Sequence, residues 1–198
     1  MAASIILGVT AAVSLLGLLG APRIIERNLF RPFWFLPRRQ YWTLVTSGFV
    51  HADLAHLLFN AVSYWFFAFP LERVIGTPRF TALYFAGLVA SNTGTYFKHR
   101  RDPDYACLGA SGAILAVLFA SIVYFPRQSI MIMPIPLPIP APLFAIGYLV
   151  YTFYAARHPR GRINHDAHFD GALAGLAFVA VTDPAAWHNA WRAVMGFG

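Results

Sequence analysis

The sequence has little charge and almost no cysteine. Charged residues make up 12% of its 198 residues, about half of the roughly 25% found in ordinary soluble domains. The single cysteine, Cys107, excludes an internal disulfide. Since 58% of the residues are hydrophobic and the mean hydropathy is +0.57, the composition excludes an ordinary soluble domain. It indicates an integral, multi-pass membrane protein.

Six apolar segments follow one another along the chain, several near the short end of the ~17–25 residues that a spanning helix needs. They predict an all-α, polytopic membrane protein with six transmembrane helices. No internal repeat or second domain is visible, so we expect one domain over residues 1–198. The segments are 3–21, 52–71, 80–97, 110–125, 138–156 and 167–182.

The net charge of +7 comes from basic residues in the loops between these segments. This distribution favours the lipid bilayer as a partner and argues against nucleic acid. Lysines and arginines are concentrated in the first, third and fifth loops, which the positive-inside rule assigns to the cytoplasm. The first loop, however, mixes its arginines with aromatic residues, as in segments that lie in the membrane interface. The orientation of the chain therefore stays open.

Residues 134–142 alternate proline with apolar residues. Proline fixes φ and has no N–H to donate, so it does not suit a helix interior. The pattern predicts an extended segment that leads into the fifth helix.

Polar side chains within apolar segments are costly and need a reason. Any one of them alone is explained by interhelical hydrogen bonding. His56 and Asn60 are four residues apart and so share a helix face, and His51 lies just before them. The set that stands out is His51, His56, Asn60, Ser111 and His168.

Ser111 lies in the sequence Gly109-Ala110-Ser111-Gly112. The glycines permit close backbone approach on both sides of the hydroxyl. Amides in the first turn of a helix lack intrahelical partners and can stabilise an oxyanion. Ala113 stands where the Gly-x-Ser-x-Gly elbow needs glycine, which excludes an α/β-hydrolase.

The sixth segment places His168 one turn before Gly171, and Gly171 and Gly175 form a small-xxx-small face. If this face packs on the fourth helix, His168 faces Ser111, and the two form a nucleophile–base pair. Asp166 and Asp170 lie two residues on either side of His168, so their side chains point away from its ring. We therefore expect a dyad and not a triad.

In combination, these motifs resemble the rhomboid family of intramembrane serine proteases. The resemblance extends over residues 42–175 and implies a six-helix bundle whose site opens to water within the membrane. By this resemblance, Ser111 is the nucleophile and His168 the general base. The motifs are His51-x4-His56-x3-Asn60, Gly109-Ala110-Ser111-Gly112 and Ala167-His168-x2-Gly171-x3-Gly175.

The resemblance also assigns supporting roles. Glu72 is similar to the acidic residue that closes helix two in the family, and Trp42 to the tryptophan of a Trp-Arg pair. Thr43 replaces the arginine of that pair, and Leu115 replaces the aromatic residue that commonly stacks on the histidine. The residues expected to stabilise the oxyanion or substrate are His56, Asn60, Gly109 and Ala110, with the Ser111 amide. Those expected to permit close helix packing are Gly112, Gly171 and Gly175.

The implied substrates are transmembrane segments of other proteins, destabilised by glycine or proline and cut beside a small residue. Neither a cofactor nor a metal is expected, and the expected location is the bacterial cytoplasmic membrane. The sequence is silent on oligomeric state.

One alternative to the protease is an inactive rhomboid-like protein that binds transmembrane segments without cutting them. Another is a metal site or transporter built on histidines, although no His-Glu-x2-His motif is present; these histidines are His51, His56, His165 and His168.

Overall fold

The computed structural model describes residues 1–132, 135–158 and 164–196, and most of these residues are helical. The helices of the described part are α1 (Ala2–Leu19), α2 (Pro22–Asn28), α3 (Pro32–Phe35), α4 (Thr43–Thr46), α5 (Leu54–Ile75), α6 (Thr77–His99), α7 (Ser111–Tyr124), α8 (Ala141–Arg157), α9 (His165–Thr182) and α10 (Pro184–Met195). Six of these helices, α1 and α5 to α9, coincide with the six predicted apolar segments. A 3-10 turn, Ser47–Phe49, precedes α5.

Local signals set the ends of the helices that form the site. The Asp53 carboxylate caps α5 by accepting a hydrogen bond from the His56 amide at 2.7 Å. Gly76, with φ of +79°, separates α5 from α6 in a conformation that favours glycine. The Asn164 side chain caps α9 by accepting from the Ala167 amide at 3.1 Å. These caps fix where each helix begins.

The proline-rich segment is extended from Ile135 to Pro140, as predicted, whereas Ala141 and Pro142 already belong to the following helix. The extended part forms a hairpin that was not predicted. Strand β1 (Ser129–Ile132) pairs antiparallel with β2 (Ile135–Pro140), with Ile130 opposite Ile139. Two-stranded pairing leaves open edges, where proline is tolerated. The all-α prediction is therefore wrong in this detail, and the fifth long helix begins at Ala141. Pro134, the first residue of the predicted extended segment, lies outside the described residues.

Helix α7 is the centre of the bundle. All residues from Gly112 to Val123 are buried, and α7 contacts α5, α6, α8, α9 and α10, with its largest interface against α9. A helix that is apolar on all sides is a buried helix. Burial within the protein thus explains the apolar sequence of α7. Its first residue, Ser111, lies at the end of the bundle where α9 begins.

The outer helices expose large apolar side chains, such as Leu58 and Phe66 on α5 and Ile146 on α8. By length and composition, α1 and α5 are able to cross a membrane, and α9 with α10 forms a third span if the 109° bend between them is included. The other long helices fall short of that criterion. α7 has 14 residues and α8 has 17, and α6 includes polar residues such as Asn92 and Lys98. The structure thus contains two or three such spans within its described residues, fewer than the six predicted.

Candidate active site

The segment before Ser111 is fixed by backbone hydrogen bonds. Phe30 and Cys107 exchange two backbone hydrogen bonds, of 2.9 and 3.0 Å, and the Gly109 amide donates to the Ser47 carbonyl at 2.9 Å. Gly109 has a φ of +111°, which side-chain-bearing residues rarely adopt. The chain then turns into α7, and Ser111 is the first residue of that helix. Its amide is accordingly among those without an intrahelical acceptor.

His168 lies in the first turn of α9 and reaches across to Ser111. The distance between His168 Nε2 and Ser111 Oγ is 2.9 Å, a hydrogen bond between side chains 57 residues apart in sequence. Such a contact between a hydroxyl and an imidazole is the arrangement in which histidine can take a proton from serine.

Glycines permit the close approach of α7 and α9. A Cβ atom on Gly171 would lie 2.9 Å from the Cα of Gly112, and one on Gly175 would lie 2.8 Å from the Cα of Ala116. Gly112 in turn faces Ser91 of α6, where a Cβ atom would lie 2.5 Å from the Ser91 Cβ. Larger side chains at these three glycines would separate the helices that bring Ser111 and His168 together.

The second ring nitrogen of His168 has a partner that the sequence analysis missed. The Tyr148 hydroxyl, on α8, lies 3.2 Å from His168 Nδ1. The Tyr148 ring packs with Phe144 and Phe119, at centroid distances of 5.5 and 5.8 Å. The missing aromatic residue at Leu115 was the available signal, but the fifth segment contains three tyrosines, Tyr148, Tyr151 and Tyr154, and the sequence does not single out Tyr148.

The two aspartates beside His168 are directed elsewhere. Asp166 accepts from Lys98 Nζ at 2.6 Å and lies 3.4 Å from His99 Nε2. Asp170 packs against the backbone of α6 at Gly94. Both carboxylates therefore contact α6, and the hydrogen bonds of the His168 ring are made to hydroxyl groups.

His56 lies over the segment that leads to Ser111. A Cβ atom on Gly109 would lie 2.7 Å from His56 Cε1, so the imidazole occupies the space that glycine leaves free. The Asn60 side-chain amide donates to the His56 carbonyl at 3.0 Å, and Asn60 and Ala110 line the same small pocket. The structure thus groups His56, Asn60, Gly109 and Ala110 at one end of α7.

His51 lies beneath His56 and is fully buried. Its Nδ1 atom is 2.9 Å from the Ser14 hydroxyl, and its ring meets that of His56 edge to face at 4.8 Å. Burial, with His56 nearby, lowers the pKa of His51 to about 4, so the ring is neutral at pH 7. His51 therefore supports His56 as a packed, uncharged group.

Other residues from the sequence analysis lie outside this group. His165 lies two residues before the predicted sixth segment, but it is the first residue of α9, and its ring centroid is 6.1 Å from that of His168. Buried Glu72 accepts hydrogen bonds from the Ala2 and Ala3 amides and so joins α5 to α1. Trp42 is exposed on the first loop.

A cavity of about 540 Å³ opens at the opposite end of α7 from Ser111, between residues 124–128 and α10. Its lining includes Tyr124, Arg127 and Arg192. That the site at Ser111 opens to water within the membrane stays a prediction.

Comparison with known proteins identifies the chain. The sequence model of the rhomboid domain family matches residues 38–184, about three quarters of the sequence. The chain belongs to the rhomboid family. Rhomboid domains are helical membrane folds, so the protein is an integral membrane protein of a family that consists largely of serine proteases.

Individual relatives agree with this rhomboid assignment. The chain is 42% identical over 79 residues to the rhomboid protein YdcA of Bacillus subtilis, covering 39% of this chain and 38% of that protein. It is 28% identical over 193 residues to the mitochondrial presenilin-associated rhomboid-like protein of Mus musculus (92% of this chain, 49% of that protein). The chain thus spans half or less of the length of these curated relatives. Because they include mitochondrial proteins, the comparisons do not support the predicted bacterial cytoplasmic membrane in particular.

Proposed function

We propose that this rhomboid protein is an intramembrane serine endopeptidase that hydrolyses peptide bonds in or near transmembrane segments of other membrane proteins. The observation that supports the proposal is the 2.9 Å contact between Ser111 Oγ and His168 Nε2. Family membership supports the same reaction class.

In the proposed reaction, Ser111 Oγ attacks the carbonyl carbon of the scissile peptide bond while its proton passes to His168 Nε2. The tetrahedral intermediate collapses, and His168 returns that proton to the leaving nitrogen. Water then attacks the acyl-enzyme and gives a proton to His168. His168 returns this proton to Ser111 Oγ as the carboxylic acid is released. Ser111 and His168 thereby act as nucleophile and general base, without a third residue that carries a charge.

The oxyanion of the intermediate needs donors beside Ser111. The Ser111 amide is one, because it lies in the first turn of α7. The His56 imidazole, packed on Gly109, is the second, and the Asn60 amide is the third. One hydrogen of the Asn60 amide is used by the His56 carbonyl, which leaves the other for substrate.

The proposal places all six long helices across the membrane, although only two or three pass the length and composition criterion. The short α7 is buried within the bundle and does not need to match the bilayer thickness. Ser111 at its first turn then lies below the membrane surface, where it can meet the backbone of a transmembrane substrate and where water must also enter.

Two alternative functions are less consistent with the geometry around Ser111 and His168. A rhomboid-like protein that binds transmembrane segments without cutting them would not need a hydrogen-bonded Ser111–His168 pair. A histidine metal site would need His168 as a ligand, but both of its ring nitrogens lie within hydrogen-bond distance of hydroxyl groups, those of Ser111 and Tyr148. We therefore favour the protease.

Cleavage of a single-pass substrate in liposomes tests the proposal. We expect wild-type protein to cut a substrate helix that contains glycine or proline, and Ser111→Ala to leave it intact. Ser121→Ala is the matched control, since Ser121 is a buried serine on the same helix, and it should retain activity. Substrate that co-purifies with the wild type uncut would favour the binding-only alternative, and strong inhibition by EDTA would favour the metal site.

A further inference from the structure

The Tyr148 hydroxyl is a polar group that packing alone does not require. The Tyr148 ring lies against an apolar cluster that includes Leu115, Phe119 and Phe144, where phenylalanine would pack equally well. A partly buried hydroxyl without a partner costs free energy. The partner of the Tyr148 hydroxyl is His168 Nδ1, at 3.2 Å. The reason for this hydroxyl must therefore be its contact with His168.

We infer that Tyr148 is the positioning residue of His168 and selects the ring tautomer that general-base chemistry needs. This inference rests on the function proposed above. A neutral imidazole has one N–H and one acceptor nitrogen. Nε2 must be the acceptor if it is to receive the Ser111 proton, so the hydrogen must be on Nδ1, where the Tyr148 oxygen accepts it.

The same hydrogen bond serves both protonation states of the base. When His168 has taken the Ser111 proton, both ring nitrogens are donors. Nδ1–H continues to donate to Tyr148, while Nε2–H faces the leaving group. The ring keeps its orientation through the reaction and does not have to rotate between the two proton transfers.

A hydroxyl in this role avoids a buried charge. A carboxylate would orient the ring equally well, but an ionised group within a membrane-spanning bundle is costly. Asp166 and Asp170 contact α6 instead, at Lys98 and Gly94. Tyr148, from α8, thus holds the His168 ring through its hydroxyl, whereas Leu115 of α7 offers no aromatic ring.

The substitution Tyr148→Phe tests this inference, because it keeps the ring and removes the hydroxyl. We expect kcat to fall about tenfold, the effect of losing roughly one net hydrogen bond, with KM within about twofold of the wild-type value. A fluorophosphonate reacts with an activated serine without needing the substrate helix. Its rate of reaction with Ser111 should fall by the same factor as kcat.

Tyr151→Phe is the matched control. It removes a hydroxyl from the same helix, at an exposed tyrosine that packs on His165, and it should leave both rates unchanged. Wild-type rates in Tyr148→Phe, or a loss confined to KM, would overturn the positioning role and leave the proposed protease intact. A wild-type protein that neither cleaves substrate nor reacts with the fluorophosphonate would overturn the proposed function, and this inference with it.

Discussion

Gly171 of α9 packs directly on the backbone of Gly112 of α7, so closely that a Cβ atom on Gly171 would lie 2.9 Å from the Gly112 Cα. One turn further along α9, Gly175 meets Ala116 in the same way. Because Ser111 and His168 lie at the end of this seam, its spacing sets the distance between the hydroxyl and the imidazole. The proposed chemistry therefore depends on residues that have no reactive groups.

Gly171→Val should separate α7 from α9 and reduce cleavage by about 100-fold, since a misplacement of about 1 Å can cost that much in a positioned reaction. The measurement is kcat/KM in liposomes. Ala177→Val is the control, because Ala177 is an exposed residue of the same helix, and it should keep near-wild-type activity. If Gly171→Val cleaves at the wild-type rate, the tight seam does not support the serine–histidine pair.

Gly109→Ala should impair both stability and activity. The substitution forces alanine to adopt a φ of +111° and drives its Cβ into the His56 ring. We expect a strain of about 1–3 kcal/mol, visible as a lower unfolding temperature, together with a loss of turnover. Gly147→Ala should show neither effect, since a Cβ on Gly147 meets nothing within 4 Å. Equal melting temperatures for the two variants would contradict this account of Gly109.

His56→Ala and Asn60→Ala should each reduce kcat without abolishing cleavage. Loss of one oxyanion donor costs roughly 10²–10³-fold. We expect the larger loss for His56, because part of the Asn60 amide is used within α5. The controls are His188→Ala and Asn189→Ala, at exposed positions of α10. Wild-type turnover in both His56→Ala and Asn60→Ala would assign these residues to helix packing.

The reactivity of the Cys107 thiol tests whether this side chain is buried in the segment that precedes Ser111. Burial raises the pKa of its thiol to about 12, so the reactive thiolate is scarce at pH 8. We expect iodoacetamide to modify the folded protein at least about tenfold more slowly than free cysteine at pH 8, with the rate still rising as the pH is increased. Alkylation at the rate of free cysteine would show that the Cys107 thiol is not buried in the folded protein.

The long helices are predictable from the sequence, because runs of apolar residues set their extent. Two other features could not be predicted from the sequence, for a common reason. The pairing of β1 with β2 and the contact of Tyr148 with His168 both depend on which elements face each other in three dimensions. Nothing in the spacing of Tyr148 indicates that α8 directs it toward α9. The sixth segment was predicted to begin at residue 167, two residues after His165, because the Asn164 cap that starts α9 is not apparent from hydrophobicity.

The most direct test of the account is the attachment site of a fluorophosphonate on the membrane-reconstituted protein, determined by mass spectrometry of its peptides. With Ser111 as nucleophile and His168 as its base, we predict one adduct on Ser111 Oγ. This adduct should be absent in Ser111→Ala and should form at least about 10³-fold more slowly in His168→Ala. The double variant Ser111→Ala/His168→Ala should cleave substrate no worse than either single variant, because the two residues act as a unit. Substrate cleavage by Ser111→Ala, or an adduct on Ser111 that forms at the wild-type rate in His168→Ala, would contradict it.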